Sequence, residues 1–364
     1  MIPLCTPEIN GNEWKYIKEC LDTGWVSSAG GFVDRFQEKF GEYVGARKAV
    51  ATVSGTSALH LALKSLGIKE GDEVIVPSMT FVAPVNAIRY VGAVPVFADV
   101  CRDTYVMDAQ RVEELITDRT RAILPVHTYG HPADMDIIMA LSRKYELFVV
   151  EDATEALGAL YKGKSAGTIG HAGCYSFNGN KLITTGGGGM LVTNNESAGE
   201  YAEYLSVQAK TFAGDGGFYH NDIGFNYRMP NINAAMGIAQ LENIHRLIEA
   251  KKRNARMYGE LLNDVEGIAL HCQKEWAENA YWLYSVLIED SYKGGREALI
   301  RKLRLNDIET RPFFTPVHLM TPYRTCRSGD MGVTEDISQR GLNLPSSVGL
   351  KENELQKICE LIRC

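Results

Sequence analysis

Between Lys48 and Asp152 the chain alternates short apolar runs with helical stretches, and no other feature limits its fold as strongly. "KAVATV", "DEVIVP", "VPVFADV", "RAILPVH" and "LFVVED" are strand-length apolar runs. Between them lie "TSALHLALKSLG", stopped by Gly67, "APVNAIRYVG", ending at Gly92, then "DAQRVEELI" and "DMDIIMALSRKY", all read as helices. Strands joined by crossover helices pair in parallel, and a parallel sheet is covered on both faces. The fold class is therefore α/β, with a mostly parallel central sheet flanked by helices. Such sheets bind ligands beyond the carboxyl ends of their strands. The residues that follow each strand are where chemistry is expected.

Outside this region the pattern changes. Two amphipathic helices are expected near Glu13–Leu21 and Phe32–Tyr43, the second with a core-facing stripe of Phe32, Phe36, Phe40 and Tyr43. After Gly170 the strands look mixed, with "GCYSF" and then "GGMLVT". One long connecting helix is expected from about Asn233 to Leu262. Beyond Gly267, "YWLYSVLI" reads as a strand and "ELQKICELI" as a closing helix. At roughly 150 residues per domain, 364 residues suggest two. We expect a large α/β domain over residues 1–245 and a smaller α+β domain over residues 246–364.

Composition removes several classes of function. The chain carries 38 basic and 45 acidic side chains, a net charge of −7, which argues against a general nucleic-acid binder. Its eight cysteines form no C-x-x-C pair, so zinc-site spacing is absent and they read as free thiols. No apolar run approaches the ~20 residues that span a bilayer. The opening "MIPLCTPEINGNEW" has no basic segment followed by an apolar run, so a cytoplasmic protein is expected.

Taken in order, the strand ends carry unusual residues. Ser54-Gly55-Thr56-Ser57 enters a helix and offers N–H groups and hydroxyls to an anion, although the same residues make a good N-cap. Phe81 follows the second strand and is either a lid over a flat ligand or core packing. Asp152 ends the fifth strand, where a buried carboxylate needs a partner. It either caps the next helix or pairs with a cationic ligand nitrogen. Glu155 lies one helical turn further on.

The stretch "SFNGNKLITTGGGG", Ser176 to Gly189, sets Lys181 among small polar residues. A P-loop would place its glycines before the lysine, and here they follow it. A desolvated lysine has a lowered pKa and a nucleophilic amine. Ser176 and Asn178 lie just upstream, suited to a phosphate or a substrate. Pyridoxal phosphate requires such a set: a lysine for its aldehyde, a carboxylate for its ring nitrogen, an anion site and often a stacked ring. Lys181, Asp152, the Ser54–Ser57 turn and Phe81 supply these in turn.

With these residues assembled, the chain resembles the DegT/StrS-type nucleotide-sugar aminotransferases of the aspartate-aminotransferase fold (fold type I). The likeness runs through "SGTSALHLAL", "PSMTFVAPVNAI", "EDATEALGA", "SFNGNKLITTGGGGM", "GFNYRMPNINAAMGIAQL" and "ETRPFFTPVH". The resemblance implies that Lys181 is the Schiff-base lysine and Asp152 the partner of the pyridine nitrogen. It implies that Gly55, Thr56, Ser57 and Ser176 hold the phosphate and that Phe81 stacks on the ring. Glu155 stands where many members have glutamine near the cofactor's phenolic oxygen. Asn226 matches an asparagine that reaches the cofactor of a neighbouring subunit, which implies a homodimer with shared sites.

The implied reaction moves an amino group from L-glutamate, through the pyridoxamine form of the cofactor, to C4 of a nucleotide-linked 4-keto-6-deoxy sugar for surface glycan synthesis. A UDP-linked 2-acetamido sugar comes first by resemblance, and a GDP-linked, perosamine-type sugar stays open. Arg228, Arg311 and His318 are candidates to hold the sugar diphosphate or the donor carboxylate. Rival readings have less to stand on. A desulfurase would want a mobile catalytic cysteine, and nothing pairs Cys326 with a cofactor. A cofactor-binding regulator would want a DNA-reading helix-turn-helix, and a plain nucleotide binder a G-x-G-x-x-G turn. His127 and His131, in "HTYGH", have the spacing of a helical metal pair, but Gly130 points to a loop and no metal is expected.

Overall fold

A computed structural model describes residues 1–212 and 216–364. The five apolar runs form β1 (Lys48–Thr52), β2 (Glu73–Pro77), β3 (Val94–Ala98), β4 (Thr120–Ile123) and β5 (Phe148–Asp152). Two later strands, β6 (Ala172–Ser176) and β7 (Gly189–Thr193), complete a seven-stranded sheet in the order β1-β7-β6-β5-β4-β2-β3. Pairing is parallel from β6 across to β3, while β7 is antiparallel to both β1 and β6. The reversal has a simple cause: β6 and β7 are joined by a loop with no crossover helix, so the chain turns straight back.

Helices α1 (Glu13–Thr23) and α2 (Gly31–Val44) precede the sheet, and α3 (Gly55–Ser65), α4 (Ala83–Tyr90) and α5 (Met135–Tyr145) cross between its strands. The helix expected over Asp108–Ile116 is instead two 3-10 turns, Ala109–Arg111 and Glu113–Leu115. Its apolar residues Ala109, Val112 and Leu115 recur every three positions, which matches a three-residue turn, and all three are buried. The Asp108 side chain also accepts the Gln110 N–H and tightens the first turn.

After α6 (Glu196–Ser206), the single connecting helix expected to Leu262 is broken into α7 (Asn231–Leu241) and α8 (Ile244–Leu262). Asn243 sits at the break, its amide donating to the Ala239 carbonyl at 3.2 Å and competing with the helix ladder. Helix α7 packs on α2, whose Phe36 and Phe40 enter one core with Ala234, Ala235 and Ile238. Gly237 permits that approach, since a Cβ there would lie 2.6 Å from the Phe36 ring.

The rest of the chain builds a four-stranded antiparallel sheet from β8 (Ile268–Leu270), β9 (Tyr284–Ile288), β10 (Arg311–Pro312) and β11 (Gly341–Leu344), in the order β8-β9-β11-β10. It shares a core with α8, α9 (Gly295–Leu305) and α10 (Glu352–Arg363). The strand expected over Tyr281–Ile288 begins only at Tyr284, which leaves Trp282 in the approach to the sheet. All eight cysteines are unpaired. Among the described residues no helix is long and apolar enough to cross a membrane.

Candidate active site

The carboxyl ends of β1, β2, β5 and β6 meet around a cavity of about 620 Å³. At the end of β1 the Ser54 hydroxyl caps α3, accepting the Ser57 N–H at 3.1 Å and bonding the Ser57 hydroxyl at 2.9 Å. Gly55 and Thr56 face the cavity from that first turn, whereas Ser57 belongs to the cap behind it. A Cβ on Gly55 would sit 3.0 Å from the Ser176 Cβ and 3.1 Å from the Thr154 Cγ2, so glycine keeps a small cradle open at a helix N-terminus. The start of β7 closes in from the other side: a Cβ on Gly189 would lie 2.5 Å from the Ser54 carbonyl carbon.

Lys181 comes from the loop between β6 and β7, folded back by its own N–H donating to the Asn178 carbonyl at 3.0 Å. Its Nζ lies 3.7 Å from the Glu155 Oε1 and 3.7 Å from the centroid of the Trp282 ring. Burial pulls the pKa of this amine down, against the opposing pull of Glu155 and then Asp152.

Asp152 is buried at the end of β5, its Oδ1 accepting the Thr154 N–H at 3.0 Å. Burial raises its pKa. Glu155 is buried as well, and its Oε2 accepts the Tyr129 N–H at 2.8 Å. Burial pushes its carboxyl up to about 7 against the attraction of Lys181. Two carboxylates and one ammonium cannot all ionise cheaply in this space without a further cation.

Strand alternation sends the neighbour of Asp152 the other way. Glu151 is fully buried and accepts the N–H groups of Gly167 at 2.8 Å, Ile169 at 2.7 Å and Gly170 at 2.5 Å. Its fourth partner is the His127 Nε2 at 2.9 Å. Because His127 Nδ1 accepts the Ala133 N–H, the ring proton sits on Nε2 and a neutral imidazole donates to Glu151. His131 bonds the Pro132 carbonyl and accepts the Lys274 N–H. The two histidines lie on a 3-10 turn, Thr128–Gly130 and its flanks, and face separate partners.

Phe81, Ser176, Asn178 and Arg311 also line the cavity; Phe81 is 58% exposed, 6.2 Å from Phe314. Three candidates stand elsewhere in the chain's own fold. Asn226 is exposed outside the cavity. Arg228 pairs with Asp34 at 2.8 Å and Glu203 at 3.5 Å. His318 bonds Ser78 at 2.7 Å and Glu335 at 3.2 Å.

The sequence carries no sign of the cavity wall made by Trp282 and Phe314, with Tyr129 stacked behind them. The Trp282 indole N–H donates to the Asn180 carbonyl at 2.8 Å, across 102 residues of chain. Tyr129 stacks on Phe314 at 5.3 Å. No local spacing marks these contacts, and Trp282 reads in the sequence as part of the following strand.

These groups fit pyridoxal phosphate. The amine of Lys181 suits its aldehyde, the desolvated Asp152 carboxylate suits a protonated ring nitrogen, and the cradle that a Gly55 Cβ would fill suits its phosphate. A sheet of this topology with such a site defines a fold-type-I, pyridoxal-phosphate-dependent aminotransferase. The chain belongs to the DegT/DnrJ/EryC1/StrS aminotransferase family, whose sequence profile matches residues 7–363.

Among its relatives is the GDP-perosamine synthase of Escherichia coli O157:H7, 43% identical over 361 residues, covering 99% of this chain and 97% of that one. The GDP-perosamine synthase of Caulobacter vibrioides is 40% identical, covering 98% and 96%. Spr1654 of Streptococcus pneumoniae, solved in its PLP form, superposes with a TM-score of 0.93 at 26% identity, covering 100% of this chain and 97% of that one. The chain is a pyridoxal-phosphate-dependent sugar aminotransferase.

Proposed function

We propose that this chain transfers the amino group of L-glutamate to C4 of a GDP-linked 4-keto-6-deoxyhexose, placing this sugar ahead of the UDP-linked 2-acetamido sugar. The observation that carries the choice is the 43% identity, over nearly the whole chain, to a GDP-perosamine synthase. Pyridoxal phosphate, when bound, supplies the carbonyl that takes up the amino group and a ring that accepts the electrons released at the reacting carbon.

The protein supplies position and protons. Gly55, Thr56 and Ser176 bind the phosphate, with Ser57 in the cap that holds their turn and Asn178 beside them, and Phe81 covers the ring face. Asp152 holds a proton on the ring nitrogen. Lys181, once its amine is free, takes the proton from the α-carbon of glutamate, and in the second half returns one to C4 of the sugar. Glu155 stands 3.7 Å away to share that proton. Arg311, at the cavity wall, is placed for a substrate anion; Arg228 and His318, held by Asp34 and Ser78, are given no substrate role.

In this reading residues 1–245 form the cofactor cradle and residues 246–364 the roof, through Trp282, Arg311 and Phe314. Asn226, exposed on one protomer, reaches the cofactor of a second in a cytoplasmic homodimer.

The test is a direct competition. The purified holoenzyme and L-glutamate are offered GDP-4-keto-6-deoxymannose and the UDP-linked 2-acetamido-4-keto sugar, and the aminated products are resolved by mass. Higher kcat/KM on the GDP sugar, absent in Lys181→Ala, is the expected result. The opposite order returns the assignment to the UDP sugar.

A further inference from the structure

Lys181 is held from two sides, and one of them is an aromatic face. The Trp282 ring lies with its centroid 3.7 Å from Nζ, well inside the range of a cation–π contact. The residue is 5% exposed, with one hydrogen bond on its ring and another on its backbone. Its indole N–H bonds the Asn180 carbonyl, one residue before Lys181, at 2.8 Å. The backbone carbonyl of Trp282 accepts from the buried Lys251 Nζ at 2.8 Å. Tyr129 lies nearly parallel to it, with centroids 6.4 Å apart. A side chain pinned this way cannot turn from the amine without breaking a buried hydrogen bond.

We propose that Trp282 is a positioning residue that favours and orients the proton-bearing form of free Lys181. The physical basis is the negative face of the indole, which attracts an ammonium and not a neutral amine. A lysine that must carry a proton between two carbons gains from a partner that holds that proton without taking it. A carboxylate in the same place competes for it, as Glu155 does across the amine. The other groups that bear on Lys181 are Asp152, at the end of β5, and Cys5, from the N-terminal segment. Arg311 lines the same cavity from β10, and Lys251 approaches Cys5 at 3.5 Å. All of these are ionic or titratable. Of this set, Trp282 is the group that attracts the charged form without being able to take its proton.

The inference rests on Lys181 being the reacting amine, and its test needs neither sugar nor turnover. In the cofactor-free protein, Lys181 is labelled with a small amine reagent across a pH series, and its adduct is measured by peptide mass. Trp282→Leu is expected to lower the labelling midpoint by about one pH unit, a roughly tenfold rise in neutral amine at fixed pH. Trp282→Phe, with a weaker face, shifts it less in the same direction. Wider access to the cavity changes the rate at every pH, and any water it admits would raise the midpoint, the direction opposite to the loss of the ring's attraction.

If Trp282→Leu does not fold, tryptophan bearing increasing ring fluorination replaces the natural residue with little change of shape, and the midpoint falls stepwise. A midpoint that stays fixed through these substitutions, or that rises, overturns the proposal. A Lys181 that labels normally but supports no transamination would instead count against the proposed function.

Discussion

Replacing Glu155 by glutamine changes how the stability of this protein depends on pH. The wild-type carboxyl is 6% exposed, and burial raises its pKa from 4.5 to about 7 in the folded chain. In the unfolded chain it returns to its ordinary value. The folded state therefore binds a proton more tightly, and the stability linked to that proton is fully present below about pH 4.5. It is lost as pH rises through about 7. At about 1.4 kcal/mol per pH unit the loss is of order 3 kcal/mol.

Glutamine keeps an oxygen for the Tyr129 N–H, bonded at 2.8 Å in the wild type, and removes the ionisation. Glu155→Gln should thus gain on the wild type by about 2.5 kcal/mol between pH 5 and pH 8, with most of the gain between pH 5 and 7. Urea unfolding of both cofactor-free proteins at one concentration and several pH values reads this difference, free of the stabilisation that a bound ligand adds. Parallel stability curves for the two proteins, or a variant that loses ground as pH rises, would refute the reasoning. Either result would mean that Lys181, at 3.7 Å, neutralises Glu155 in the fold as well as water does outside it.

Two further substitutions probe the cradle and its support. Gly55→Ala sets a methyl 3.0 Å from Ser176 and 3.1 Å from Thr154, where overpacking costs roughly 1–3 kcal/mol. Pyridoxal phosphate affinity, followed by absorbance titration, should fall about tenfold or more, and an unchanged affinity would show that Ser176 and Thr154 give way to the methyl at no cost to the cradle. Glu151→Ala strands the N–H groups of Gly167, Ile169 and Gly170 and the His127 ring N–H. At about 1–3 kcal/mol for each unpaired buried donor, the variant should be insoluble or melt far below the wild type. Glu151→Gln, which retains an acceptor, should lose less than half as much in the same thermal assay.

The alternation of apolar runs and helices determined the central sheet from sequence alone, because strands buried on both faces must be apolar throughout. It also exposed Asp152 and Lys181, since a carboxylate at a strand end and a lysine among small residues are visible at short range. What stayed illegible depends on contacts between distant segments. The three-residue spacing of Ala109, Val112 and Leu115 reads equally as one face of a helix until burial selects the tighter turn. Arg228 and Arg311 look alike as candidates, and only folding ties the first to Asp34 while leaving the second at the cavity. Trp282 reads as part of a strand, yet its ring covers an amine 101 positions earlier in the chain. The sequence thus determined which groups are present and which strand ends carry them. The proton affinities of Lys181 and Glu155 were decided by tertiary structure, because burial and the charges and rings brought within 4 Å set the cost of each ionised form.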